Sequence, residues 1–217
     1  MEKVFLTEHI HPDAVAYLRE NFEVVQGDVL QIDLAALCRE KFGEAQAVAC
    51  ANLPYYITTP AITALLESGA FQKITVMVQK EVAQRICAAP GTAAYSAFSI
   101  YVQYHAEAAL LFDVPADCFV PKPKVDSAVI QLTPRTQPPV AVRNEKLYFA
   151  LVRAAFNMRR KTLVNALGPV LGSAMGKEEI TELIQSVGLD ARVRGERLSL
   201  AEYAALSNAA EGRLKGR

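Results

Sequence analysis

Asn52, Leu53, Pro54 and Tyr55 close an apolar run from Ala47 to Ala51 and lead into Thr58-Thr59-Pro60, where a helix is expected to begin. The run reads as a buried strand, and the carboxyl ends of strands are where open α/β sheets bind ligands. At such a tip Asn52 offers an amide oxygen as acceptor and Tyr55 a flat face for stacking, while Pro54 has no N–H and holds its neighbours' carbonyls in place. Two acceptors beside an aromatic plate suit the exocyclic amine of a flat heterocycle. An adenine amine is a poor nucleophile because its lone pair is delocalised into the ring. Acceptors that bond its hydrogens favour a pyramidal nitrogen whose lone pair points at an electrophile, and neither a metal nor a strong base is required. The same four residues also suit a plain strand-to-helix turn with a capping Asn and a core Tyr.

The elements that must position this tip follow from hydrophobic periodicity. Strands are predicted at Val4 to Thr7, Glu23 to Val29, Lys73 to Gln79, Ala109 to Val114 and Ser127 to Leu132. The near-continuous apolar run from Lys73 to Gln79 is the pattern of a strand buried on both faces. Helices are predicted at His11 to Asn21, with Val15 and Leu18 inward, from near Asp33, at Thr58 to Gly69, Lys80 to Ala89 and Tyr95 to Ala106. The prolines at 134, 138 and 139 mark a boundary, giving an α/β domain over 1–135 and a small all-α domain over 140–217. In the second part Asn144 to Arg160, Lys161 to Leu167, Lys177 to Val187 and Ser199 to Gly212 have helical spacing, with a weakly ordered tail beyond.

The chain has 217 residues, 52% apolar and 21% charged, which fits a globular protein. No apolar run is long enough to span a bilayer and no basic-then-apolar signal segment opens the sequence, so the cytoplasm is the expected compartment. Cys38, Cys50, Cys87 and Cys118 lack C-x-x-C spacing and read as reduced, mostly buried thiols. His9 and His11 read as a helix entry, and no metal site is expected. Net charge is zero but unevenly placed: 10 Lys and Arg against 15 Asp and Glu up to Pro139, then 13 against 8 from Val140 onward. The clusters Arg159-Arg160-Lys161 and Arg192, Arg194, Arg197 fit either a phosphate-contacting face or a solvated helix surface with local ion pairs.

Three blocks together, Asn52-Leu53-Pro54-Tyr55, Val78 to Ala83 and Phe119-Val120-Pro121-Lys122-Pro123-Lys124-Val125-Asp126-Ser127-Ala128-Val129, resemble in order and spacing the ribosomal RNA adenine dimethyltransferases. The resemblance extends over nearly the whole chain and is strongest to the bacterial small-subunit branch. It implies a Rossmann-like methyltransferase sheet followed by a small helical domain, S-adenosyl-L-methionine as cofactor, and dimethylation of two adjacent adenines in a hairpin near the 3′ end of small-subunit (16S) rRNA. The implied setting is ribosome biogenesis, with the pre-30S subunit as partner, no membrane and a monomeric protein. It implies a reaction centre of Asn52, the Leu53 carbonyl, Pro54 and Tyr55. It also implies that Tyr55 and Phe119 stack on the two faces of the target adenine, and that Lys122, Lys124, Arg159, Arg160 and Lys161 contact RNA. On the cofactor side it points to Glu8 for the ribose hydroxyls, Asp28 for the adenine amine and Asn52. Glu8 is otherwise a plain surface residue, Asp28 a helix N-cap and Phe119 a loop anchor in the core.

The family opens with a further strand and a G-x-G-x-G loop, whereas the first glycine here is Gly27 and Val4 to Thr7 corresponds to the family's second strand. Two arrangements are expected: the strands at Val4 to Thr7 and Ala47 to Ala51 pair directly, or a gap stays open between them. Both predict weak cofactor binding and little or no methyl transfer by the chain alone. A non-catalytic rRNA-binding assembly factor derived from the enzyme is the alternative expectation.

Overall fold

The computed structural model describes residues 2–6, 12–43, 45 and 47–215. The N-terminal part alternates strand and helix: β1 (Glu2–Leu6), α1 (Pro12–Asn21), β2 (Phe22–Gln26), α2 (Leu34–Phe42), β3 (Ala47–Asn52), α3 (Thr58–Glu67), β4 (Phe71–Gln79), α4 (Lys80–Ile86), α5 (Ala97–His105), β5 (Ala106–Val114) and β6 (Ser127–Pro134). Four further helices follow, α6 (Glu145–Asn157), α7 (Leu163–Leu171), α8 (Lys177–Ser186) and α9 (Leu200–Lys215). The α/β class with a helical C-terminal part is thus the one expected. The tail departs from expectation, because α9 runs on to Lys215, with Lys215 paired to Glu211 one turn earlier at 2.8 Å.

The strands form two sheets. β1 and β2 pair in parallel with each other, and β3-β4-β6-β5 form a second sheet in which β3 and β4 are parallel and β6 is antiparallel to both its neighbours. Of the two arrangements expected near the N-terminus, direct pairing of β1 with β3 does not occur: among the described residues β3 bonds only to β4.

The β4 expectation needs a correction. Ile74, Val76 and Val78 are fully buried, but the alternate residues Thr75, Met77 and Gln79 are only half-buried. The register partners of Thr75 and Met77 in β3, Cys50 and Asn52, are more open still, both being exposed, as is Val48 on the same face. One face of the sheet is therefore packed under helices and the other is partly open, so a continuous apolar run overstated its cover.

Two cores result. The sheet core gathers Ile62, Leu65, Ile74, Val76, Val78, Ile130 and Leu132, whereas the helical core joins Leu151, Leu163, Leu167, Leu183 and Tyr203 with Ala88, Tyr95, Ile100 and Tyr104 from the α/β part. Helix α5 thus faces both cores, with Val102 on one and Ile100 and Tyr104 on the other. The Tyr95 hydroxyl donates to the Leu198 carbonyl at 3.1 Å and the Gly91 N–H to the Glu196 carbonyl at 2.8 Å, tying the two parts together.

At the end of α5, His105 lies among the rings of Tyr101, Tyr104 and Phe149, 4.6, 5.1 and 5.9 Å away. Burial lowers its pKa below the ordinary value of 6.5, a shift that the charges of Glu145 and Glu67 only partly oppose. A depressed folded-state pKa means the unfolded chain binds the proton more readily. The stabilisation from neutral His105 is then complete above about pH 6.5 and is lost as pH falls through the folded-state value. A His105→Gln variant is expected to lose stability less steeply than the parent on going from pH 7 to pH 5, read as the difference between their Tm-against-pH curves. Parallel curves would remove His105 from the acid response.

Candidate functional site

The tip of β3 is built by short-range bonds. The Leu53 N–H continues the ladder to the Met77 carbonyl at 3.1 Å, and the Leu53 side chain is buried in the sheet core. Beyond it Pro54 starts a single 3-10 turn over Tyr55–Ile57 that runs into α3. The Pro54 carbonyl accepts from the Ile57 N–H at 3.1 Å and from the Thr58 hydroxyl at 3.2 Å, which anchors the turn. Asn52 caps neither the turn nor α3, whose N-cap is Ile57 with no side-chain cap bond. Tyr55 is 37% exposed and Tyr56 86% exposed. The capping Asn and core Tyr of the plain-turn reading are thus not what the fold contains, and an amide and an aromatic ring stand open at a strand's carboxyl end.

The tyrosine ring is tethered across the sheet. Its hydroxyl lies 2.9 Å from the hydroxyl of Ser127, the first residue of β6, which is buried at 1% exposure. The preceding Asp126 accepts from the Ala116 N–H through Oδ1 at 2.9 Å, and its backbone carbonyl accepts from the Lys80 N–H at 3.0 Å. Lys80 also pairs with Asp113 of β5 at 2.7 Å, and that pairing raises its pKa.

The loop between β5 and β6 carries Phe119, half-buried and in neither core. Lys122 is exposed and ion-paired to Asp117 of the same loop. Lys124 is exposed and lines, with Gln79, Lys80, Glu81 and Asp126, an open cleft of about 550 Å³.

The remaining sites are scattered. Asp28 lies just beyond β2, where its Oδ1 accepts from the Leu30 N–H at 2.9 Å and its Oδ2 from the Gln31 amide at 2.8 Å. The cap of α2 is instead Asp33, which accepts from the Ala36 N–H at 2.9 Å. Glu8, like the pair His9 and His11, falls outside the described residues. Arg159 is spent within the protein: it pairs with Glu196 at 2.5 Å and donates to the Ala93 carbonyl at 2.9 Å, bridging the helical part to the loop before α5. Arg160 and Lys161 beside it are exposed, as are Arg192, Arg194 and Arg197. Cys50 and Cys118 are exposed, against the expectation of mostly buried thiols, and burial raises the pKa of the half-buried Cys38 and Cys87. No cluster of metal-binding side chains occurs among the described residues.

A family model described as ribosomal RNA adenine dimethylase matches residues 5–211. The chain belongs to that family. Proteins named ribosomal RNA small subunit methyltransferase A are similar to it. The one from Geobacillus thermodenitrificans is 48% identical over 193 residues, covering 88% of this chain and 66% of the relative. The one from Clostridium perfringens is 45% identical over 208 residues, covering 94% and 70%. The chain therefore spans about two thirds of the length of these curated relatives. A dimethyladenosine transferase from Plasmodium falciparum has the same fold, with a TM-score of 0.73 at 23% identity over 92% of this chain and 77% of that one. The 23S rRNA methyltransferase ErmE superposes with a TM-score of 0.67 at 19% identity over 95% and 80%. The fold is the Rossmann-like one of these methyltransferases. In this member of the family, the sequence motifs by themselves did not single out Ser127, Asp126 and Glu196. Asp126 and Ser127 belong to the Phe119 to Val129 motif, but Ser127 is 72 positions from its partner Tyr55.

Proposed function

We propose that the chain acts on adenines of small-subunit rRNA, dimethylating the exocyclic amines of two adjacent bases during ribosome biogenesis, with the pre-30S subunit as partner in the cytoplasm and the protein a monomer. The observation that carries this reading is the open Asn52 amide and Tyr55 ring on a buttressed turn at the β3 tip, in a member of the rRNA adenine dimethylase family. S-adenosylmethionine, when bound, supplies an electrophilic methyl group.

The residues on this side of the reaction hold and orient. Asn52 Oδ1 and the Leu53 carbonyl accept the amine hydrogens, bonds that strengthen as charge develops on the nitrogen. Tyr55 and Phe119 stack on the extruded base, returning roughly 1–3 kcal/mol per plate against an extrusion cost of a few kcal/mol. Exposed Asp28 and Asn52, at the ends of β2 and β3, fit the cofactor's adenosine side. The two oxygens of Asp28 already accept bonds within its own turn, yet a carboxylate has further lone pairs to offer.

The engaged Asp28 and the absence of pairing between β1 and β3 among the described residues favour a second reading, a non-catalytic rRNA-binding assembly factor. Calorimetry with S-adenosylmethionine separates the two: measurable binding supports the enzyme, and RNA binding without cofactor binding supports the assembly factor.

For the RNA face, Lys122, Lys124, Arg160 and Lys161 are the exposed cations proposed to meet phosphates. Charge reversal at Arg160 and Lys161 is expected to flatten the log affinity-against-log salt slope by about 0.7–0.9 for each phosphate that is no longer neutralised. Reversal at Arg159 should instead lower Tm, because it places like charge against Glu196. An unaltered salt slope in the Arg160 and Lys161 variant would make these residues an ordinary solvated face.

A further inference from the structure

Tyr55 and the Phe119 loop are distant in sequence, yet both are fastened to one dipeptide. Ser127 holds the Tyr55 hydroxyl at 2.9 Å, and the adjacent Asp126 holds the Ala116 N–H at 2.9 Å. Ala116 opens the 3-10 turn that ends at Phe119, whose own N–H donates back to the Ala116 carbonyl at 3.2 Å. The dipeptide is itself immobilised, because the Lys80 N–H donates to the Asp126 carbonyl and Ser127 begins the strand that pairs with both β4 and β5.

The Ser127 side chain has an unusual setting. Its face of β6 continues through Val129 and Gln131, which are only half-buried, whereas Ser127 is 1% exposed and its hydroxyl meets the tyrosine. A buried hydroxyl with one hydroxyl partner constrains that partner's position strongly, since breaking the bond strands a polar group. Likewise, a loop with prolines at 121 and 123 has little freedom once its base is pinned.

We infer that Asp126 and Ser127 form a bracket that sets the relative placement of the two aromatic plates, and so the width of the slot that takes an extruded nucleobase. Both are positioning residues: Ser127 acts through Tyr55, and Asp126 acts through Ala116 on Phe119. The inference rests on the reading of Tyr55 and Phe119 as the stacking plates.

The test uses the full chain and an RNA hairpin with 2-aminopurine in place of one of two adjacent adenines, whose fluorescence falls when the base stacks on an aromatic ring. Tyr55→Phe keeps the ring and loses the tether; Ser127→Ala loses the same tether from the other end. Each is expected to weaken the quenched complex about fivefold, the scale of one net hydrogen bond, and the double variant should be no weaker than either. Asp126→Ala should weaken it similarly, and should cause no further loss when introduced into the Phe119→Ala variant. Asp126→Asn keeps an acceptor oxygen for the Ala116 N–H and should restore quenching. Multiplicative losses in either pair, or an Asp126→Asn variant as impaired as Asp126→Ala, would overturn the bracket. Tyr55→Ala distinguishes the two levels. If it leaves quenching intact, the stacking reading fails; if it abolishes quenching while Ser127→Ala binds as tightly as the parent, the bracket alone fails.

Discussion

Replacing Asn52 by alanine is expected to lower single-turnover methyl transfer from S-adenosylmethionine to small-subunit rRNA by about 100- to 1000-fold, the scale of losing one preorganised hydrogen-bonding group at a reacting centre. The effect should fall on the chemical step. Asn52 is exposed and caps no helix, so the fold loses little when its amide is removed; exposed substitutions of this kind usually stay within about 0.5 kcal/mol. RNA affinity should hold, because a ground-state amine bonds the amide weakly compared with the charged nitrogen of the transition state. Tm and RNA binding measured beside the rate therefore isolate the role. A variant that turns over at the parent rate would exclude Asn52 from the reaction centre.

Gly195→Ala is expected to carry the largest stability cost. Gly195 is buried, and a methyl group on its α-carbon would lie 2.5 Å from the Ala155 side chain and 2.7 Å from the Tyr203 hydroxyl. Neither neighbour can yield easily. Ala155 sits near the C-terminal end of α6, 1% exposed, and the fully buried Tyr203 donates to the Gly195 carbonyl at 3.0 Å. Overpacking of this kind costs about 1–3 kcal/mol, and a stranded buried hydroxyl adds about 1–3 kcal/mol when its bond breaks. Together they predict a Tm lower by roughly 4–24 °C in calorimetry, at about 2–4 °C per kcal/mol for a chain of this size. Because Glu196 follows directly and holds both Arg159 and the Gly91 N–H, the same change should loosen the packing of the helical part on the α/β part. An unshifted Tm would show that the helical core can open around residue 195 without cost.

Much of the site was legible from local sequence. A strand tip followed by a proline turn is set by neighbours within a few residues, so Asn52, Pro54 and Tyr55 stand where the pattern of apolar residues put them. The same holds for caps: Asn144 accepts from the Leu147 N–H at 3.0 Å, and Ser199 shares its hydroxyl and N–H with Glu202. These bonds span three residues, and their energetics need no distant partner. Strand and helix order followed for the same reason, with ends displaced by a few residues where a 3-10 turn or a cap intervened.

Other features depended on which surfaces meet in space. Arg159 reads in sequence as one of three adjacent cations, but packing sets it against Glu196, 37 positions away, and leaves Arg160 and Lys161 to solvent. Cys50 and Cys118 look like core thiols by composition and are exposed because the face of β3 and the loop before β6 are not covered. The apolar run of β4 identified a central strand without revealing that one of its faces is only half-covered. Ser127 shows the difference most sharply. Its hydroxyl is one of many until the sheet brings the ends of β3 and β6 together, and only that long-range pairing turns it into the anchor of Tyr55, since a hydrogen bond across 72 positions leaves no periodic trace in the chain.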